Sequence, residues 1–136
     1  MHTAPTENGL LNAREVQVFI IIAASLDKWA MTHSEEGKAV LKAHYQWAAE
    51  LKAKNKLMMA GPVDLDLSTV INIAPAGHIT GFIMLHVASR EEAISWAEKD
   101  PFVLHGYRRN SVHALNIKIT DKTIYEYLQK TINHHE

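Results

Sequence analysis

The stretch "VQVFIIIAASL", residues 16–26, is apolar at almost every position. Side chains alternate along a strand, so Val16, Val18, Ile20 and Ile22 would share one face, and Phe19, Ile21 and Ala23 the other. A strand that is apolar on both faces is covered on both sides. The run is far short of the ~20 apolar residues that span a bilayer. With Arg14 ahead and small residues behind, it has some likeness to a secretory h-region. The β-branched character of Val18 to Ile22 suits a buried strand better.

Upstream, residues 1–14 carry Pro, Asn and Gly without a sustained period and read as a loose arm; residues 15–136 read as one domain. Downstream, a first helix is expected to start near Thr32 or Ser34, since Thr32 and Glu35 have capping-box spacing, and to run to about Lys54. Its inward stripe reads Leu41, His44, Ala48 and Leu51. A histidine stands there where an apolar side chain is expected. "KLMMAGP" (56–62) reads as a short strand stopped by Gly61-Pro62, followed by strands at "STVINIA" (68–74) and "TGFIMLHV" (80–87). Ser89 and Glu92 form a capping box for a helix from Arg90 to about Lys99, which Asp100-Pro101 ends. "SVHALNIKI" (111–119) is a last strand, and Asp121 caps a C-terminal helix with stripe Ile124, Leu128, Ile132.

The order is that of an α+β protein. It is a ferredoxin-like β-α-β-β-α-β sandwich with an added C-terminal helix. In such a sandwich the helices cover one face of the sheet. The first strand, residues 16–24, and the strand at 80–87 are both largely apolar on their two faces, so the second face calls for another cover: a second copy of the chain in a two-fold homodimer, or in part the C-terminal helix.

Composition narrows the function classes. Fourteen basic and fifteen acidic side chains give a net charge of −1, and the cations are scattered. Nothing there draws nucleic acid or an anionic membrane, and a cytoplasmic location is the default expectation. There is no cysteine, so thiolate zinc sites, iron–sulfur clusters, disulfides and thiol nucleophiles are excluded. Nine histidines raise the question of a metal, but there is no HExxH helix and no tight His/Asp/Glu cluster; no metal and no cofactor are expected. Gly-rich phosphate loops and a GxSxG elbow are also missing.

"KAHYQW" (42–47), "AGP" (60–62) and "SREEAISWAEKDPF" (89–102), with a glycine soon after, resemble the YciI-like (YCII-related) family over about residues 16–119. The resemblance implies a dimeric α+β barrel of two ferredoxin-like protomers and a site centred on a His–Asp pair, here His44 and Asp100. It also implies acid–base chemistry: relatives act in dehydrochlorination or other lyase steps on aromatics, and neighbouring barrel families are isomerases and monooxygenases. The long arm, the longer segment after "AGP" and the C-terminal helix depart from the compact family form, so a substrate does not carry over.

The residues themselves bear on that pair. A buried imidazole without hydrogen-bond partners costs ~1–3 kcal/mol, and a carboxylate partner both satisfies His44 and makes it a better base. Asp100 has a plainer reading as a helix stop. At a helix C-terminus, though, an acid meets the unfavourable end of the dipole, so a partner elsewhere would account for it better. Gly61, Pro62, His86, Phe102 and His105 are the further candidates to surround a small-molecule ligand. For Gly61-Pro62 turn-making is an equal explanation; for His86 and His105 a structural role weighs more. Arg108-Arg109 is a candidate to hold an anionic substrate by charge-assisted bonds, but a solvated pair is the stronger reading. The sequence thus supports an acid–base lyase or isomerase, with a non-catalytic small-molecule-binding or assembly module of the same fold as the alternative.

Overall fold

The computed structural model describes Leu10, residues 16–63 and residues 77–133, with side chains through residue 130. Four strands are resolved: β1 (Gln17–Ser25), β2 (Leu57–Pro62), β3 (Ile79–Leu85) and β4 (Arg108–Asn116). The helices are α1 (Glu35–Ala53), α2 (Arg90–Glu98), the single turn α3 (Pro101–Leu104) and α4 (Lys122–Asn133). A 3₁₀ turn at Asp27–Met31 precedes α1. The sheet runs β2-β3-β1-β4 and every pairing is antiparallel, which is the ferredoxin-like sandwich. The expected strand at 68–74 lies outside the described residues. Of the segment 1–14 only Leu10 is described, and it bridges Ile119.

The helices form where their caps place them. Ser34, and not Thr32, caps α1: its Oγ accepts the Gly37 amide at 3.0 Å, and Glu35 and Glu36 follow in the first turn where the dipole favours acids. Ser89 caps α2 by accepting from the Glu92 amide at 3.1 Å. Glu92 reaches back to the amide of Ala88, one residue earlier than a standard capping box would have it. Asp121 accepts from Ile124 N at 2.8 Å and starts α4.

β1 divides the interior in two, as its two apolar faces require. On one side Ile21 joins Trp47 and Leu51 of α1, Ala93 and Ala97 of α2, and Ile83 and Leu85 of β3. On the other, Val16 and Val18 pack against Tyr125 and Leu128 of α4, flanked by Met58, Met84 and Leu115. The C-terminal helix thus covers part of the second face itself. Each expected stripe holds at one member, Leu51 in α1 and Leu128 in α4, and departs at another. In α1 Val40, Trp47 and Leu51 are buried while Leu41 is on the surface; in α4 Tyr125 and Leu128 are buried while Ile124 is exposed. In each case the large aromatic, Trp47 or Tyr125, turns inward because it buries more area than the aliphatic neighbour would. Among the described residues no helix is long and apolar enough to cross a membrane.

Candidate active site

Asp100 is the centre of the site. After α2 ends at Glu98, Asp100 becomes the N-cap of α3, with Pro101 in the first turn, where its fixed φ and missing N–H cost nothing. Its Oδ1 accepts the Phe102 amide at 3.0 Å. The carboxylate is thus at the favourable, N-terminal end of a helical turn, and the expectation that it opposes a helix dipole is corrected.

The remaining lone pairs of Asp100 are also taken. Oδ1 is 2.8 Å from Nδ1 of His44. Oδ2 accepts from Arg108 Nη2 at 2.9 Å, from Arg108 Nε at 3.3 Å and from Asn110 Nδ2 at 3.1 Å. Asp100 is fully buried. Burial by itself would raise its pKa, but the His44 hydrogen bond, the Arg108 charge and the Asn110 bond outweigh it and lower it from 3.8 to about 2. The group is therefore a carboxylate, which only accepts. Nδ1 of His44 must then carry the proton, and Nε2 is left as the ring's free lone pair in the neutral state.

His44 and Arg108 both line a pocket of about 280 Å³ between α1 and the β2–β3 edge. Its walls are mostly apolar, with Leu41, Ala48, Leu57, Phe102 and Trp29 of the 3₁₀ turn among the residues that line it. The His44 ring lies 4.8 Å from Phe102 and 5.5 Å from Trp47 between centroids, so it packs between the two aromatics. Trp29 stands edge-on to Phe102 at 5.0 Å. The turn that carries Trp29 is fastened by Lys28, whose Nζ is 2.7 Å from Glu36 Oε1; the buried Tyr107 hydroxyl donates to the same oxygen at 3.0 Å.

His44, Gly61, Pro62 and Phe102 meet in this pocket, and Asp100 stands directly behind His44. His86 and His105 do not join them. His86 Nε2 shares a 2.8 Å hydrogen bond with the Tyr127 hydroxyl of α4, on the other side of the sheet. His105 is exposed at the end of α3, where its carbonyl accepts from Lys28. Arg108 is the residue whose favoured sequence reading, a solvated side chain, the structure overturns. It is 5% exposed rather than solvated, while Arg109 points outward. β4 begins at Arg108, three residues earlier than expected. Alternation then places Arg108, Asn110 and Val112 on the inner face. Among the described residues, no cluster of three or more His, Asp or Glu is arranged to hold a metal.

Comparison with known proteins gives a family match. The model of the YCII-related domain matches residues 16–113. No curated protein matches the sequence significantly. Among solved structures, the chain is similar to 5-chloro-2-hydroxyhydroquinone dehydrochlorinase from Burkholderia phenoliruptrix, determined as a complex with 2,5-dihydroxybenzoquinone. The identity is 20%, the match covers 74% of this chain and 93% of that one, and the TM-score is 0.49. The family match takes in β1 through most of β4, including both His44 and Asp100, and on that basis the chain belongs to the YCII-related domain family.

Proposed function

We propose that this protein is an acid–base enzyme acting on a small, largely apolar organic molecule, with His44 as the base and Asp100 as its positioning partner. The observation that carries this reading is the 2.8 Å contact between His44 Nδ1 and the buried Asp100 carboxylate, which leaves Nε2 to the pocket. Asp100 orients the ring, fixes its tautomer and stabilises the imidazolium once Nε2 has taken a proton. The matching reaction starts with proton transfer from a substrate carbon or hydroxyl to Nε2. The electron pair left behind forms a new π bond, and either a leaving group departs with its own pair or the proton returns at another carbon. Elimination and isomerisation share this first step.

A thermal-shift screen of chlorinated and hydroxylated aromatics, followed by product analysis for each binder, tests the proposal. His44→Ala is expected to lower turnover by ~10²–10⁴-fold with the fold intact. Full turnover in that variant rejects the assignment. Binding across the screen without turnover in the wild type favours a non-catalytic module instead.

The assembly we propose is a homodimer, with residues 15–136 acting as one unit. α4 covers the Val18 end of the outer sheet face, whereas Ile22, on the same face by alternation, is only half-buried. Two such faces against each other would bury both. Light scattering should report twice the chain mass, and Ile22→Glu should return the monomer. A monomeric wild type rejects the dimer.

A further inference from the structure

Arg108 does more than neutralise Asp100. Its Nε and Nη2 are both spent on Asp100 Oδ2, and Nη1 donates to none of the described groups. Nη1 is not sealed either. The enclosed side-chain polar atoms without a partner, among the described residues, are Trp47 Nε1, Asn110 Oδ1 and Gln129 Nε2. The guanidinium is held by its other contacts, 4.9 Å from the Phe102 ring and 5.9 Å from that of Trp29. Beside it, Gly81 leaves the pocket wall bare: a Cβ there would come 3.1 Å from Nη1. Gly81 and Arg108 both line the pocket, and Arg108 is the one formally charged side chain among its described lining residues.

We infer that Arg108 Nη1 is the oxyanion donor of this pocket, and that the ligand is a small apolar molecule bearing, or developing, a single negative oxygen. The inference rests on the acid–base reading of His44 for how that charge arises. When Nε2 takes a proton, the released electron pair builds charge on an adjacent oxygen, and a fixed donor in a water-poor site stabilises it without reorganising. The charge balance points to a monoanion. Asp100 and Arg108 cancel, protonated His44 adds one positive charge, and one negative oxygen restores neutrality. A phenolate, an enolate and a carboxylate share this chemistry.

Four probes separate the possibilities in calorimetric titrations of the full chain: 4-nitrophenol and benzoate, each against a neutral counterpart, 4-nitroanisole and benzamide. The wild type should bind at least one acid more tightly than its counterpart. Preference for 4-nitrophenol alone indicates a phenolate or enolate, and preference for benzoate alone a carboxylate. Arg108→Gln should reduce the affinity for the favoured anion about tenfold or more, and leave that for the neutral probes unchanged. Because Arg108→Gln also strips Asp100 of a partner, Gly81→Ala serves as the second variant. It keeps the Asp100 contacts, places a methyl against Nη1 and should erase the same preference. Equal affinities for acids and neutral counterparts in the wild type, or a preference that survives both variants, overturns the inference. The base reading is tested apart: 4-nitrophenol bound at a pH where the free probe is neutral should show the phenolate absorption in the wild type and not in His44→Ala. Absence of that absorption in the wild type rejects the base alone, since benzoate still reports on Arg108.

Discussion

His44 Nδ1 and Asp100 Oδ1 are 2.8 Å apart although 56 residues separate them in the chain. One element brings in each partner. α1 presents His44 on the side facing the sheet, and the turn between α2 and α3 presents Asp100 as a helix cap. The same Oδ1 that accepts from His44 also accepts from Phe102 N, so the geometry of the pair and the start of α3 are one arrangement. Oδ2 meanwhile binds Arg108 and Asn110, which ties the pair to β4.

Acid stability should report on this arrangement. The Asp100 pKa is lowered to about 2 in the fold from an ordinary 3.8. A depressed acid stabilises the fold fully above its unfolded value and loses that contribution as pH falls through the folded one. Urea titrations should thus show about 2 kcal/mol lost between about pH 4 and pH 2, and Asp100→Asn should flatten this slope. At pH 7 the same variant leaves the Arg108 charge buried without its partner, and should cost about 3–5 kcal/mol. An unchanged midpoint at pH 7 would contradict the buried pair.

Gly37 is expected to invert a familiar rule. Replacing a helical glycine by alanine ordinarily gains about 1 kcal/mol. Here a Cβ would run into the backbone carbonyls of Thr32 and Met31, which fold back over the first turn of α1. Backbone cannot move aside as a side-chain tip can. Gly37→Ala should therefore lose about 1–3 kcal/mol in denaturant titration, and a gain in stability would show that the turn lies elsewhere.

Much of this fold is legible in the sequence, because it is written in local signals. The two apolar faces of residues 16–24, the serines that cap α1 and α2, and the Asp121 cap all act over a few residues. His44 is visible as the odd polar member of an inward stripe. What remained hidden depends on where strands begin and which chain segments meet. Arg108-Arg109 looks like a solvated pair until β4 is extended back to Arg108, and only then does alternation separate the two side chains. Asp100-Pro101 looks like a helix stop, yet an acid before a proline is also the signature of a helix start, and a new turn does begin there. The burial of Trp47 and Tyr125 where Leu41 and Ile124 stay exposed is a tertiary preference that a stripe of equal-weight apolar residues does not encode.

α4 should prove part of the core rather than an appendage. Leu128 is fully buried against Val16 and Val18. Leu128→Ala should destabilise the whole domain by about 2–5 kcal/mol, seen as one cooperative transition moving to lower urea. Loss of α4 signal alone, with the sheet unfolding at its wild-type midpoint, would show an independent helix.

The central claim concerns the tautomer of His44: a proton on Nδ1, given to Asp100, and a bare basic Nε2 facing the pocket. Two-bond ¹H–¹⁵N correlation of the histidine rings measures this directly at a pH where His44 is neutral. The wild type should show the Nδ1–H form, and Asp100→Asn its loss or mixture with the other form. A neutral His44 carrying its proton on Nε2 in the wild type would contradict it.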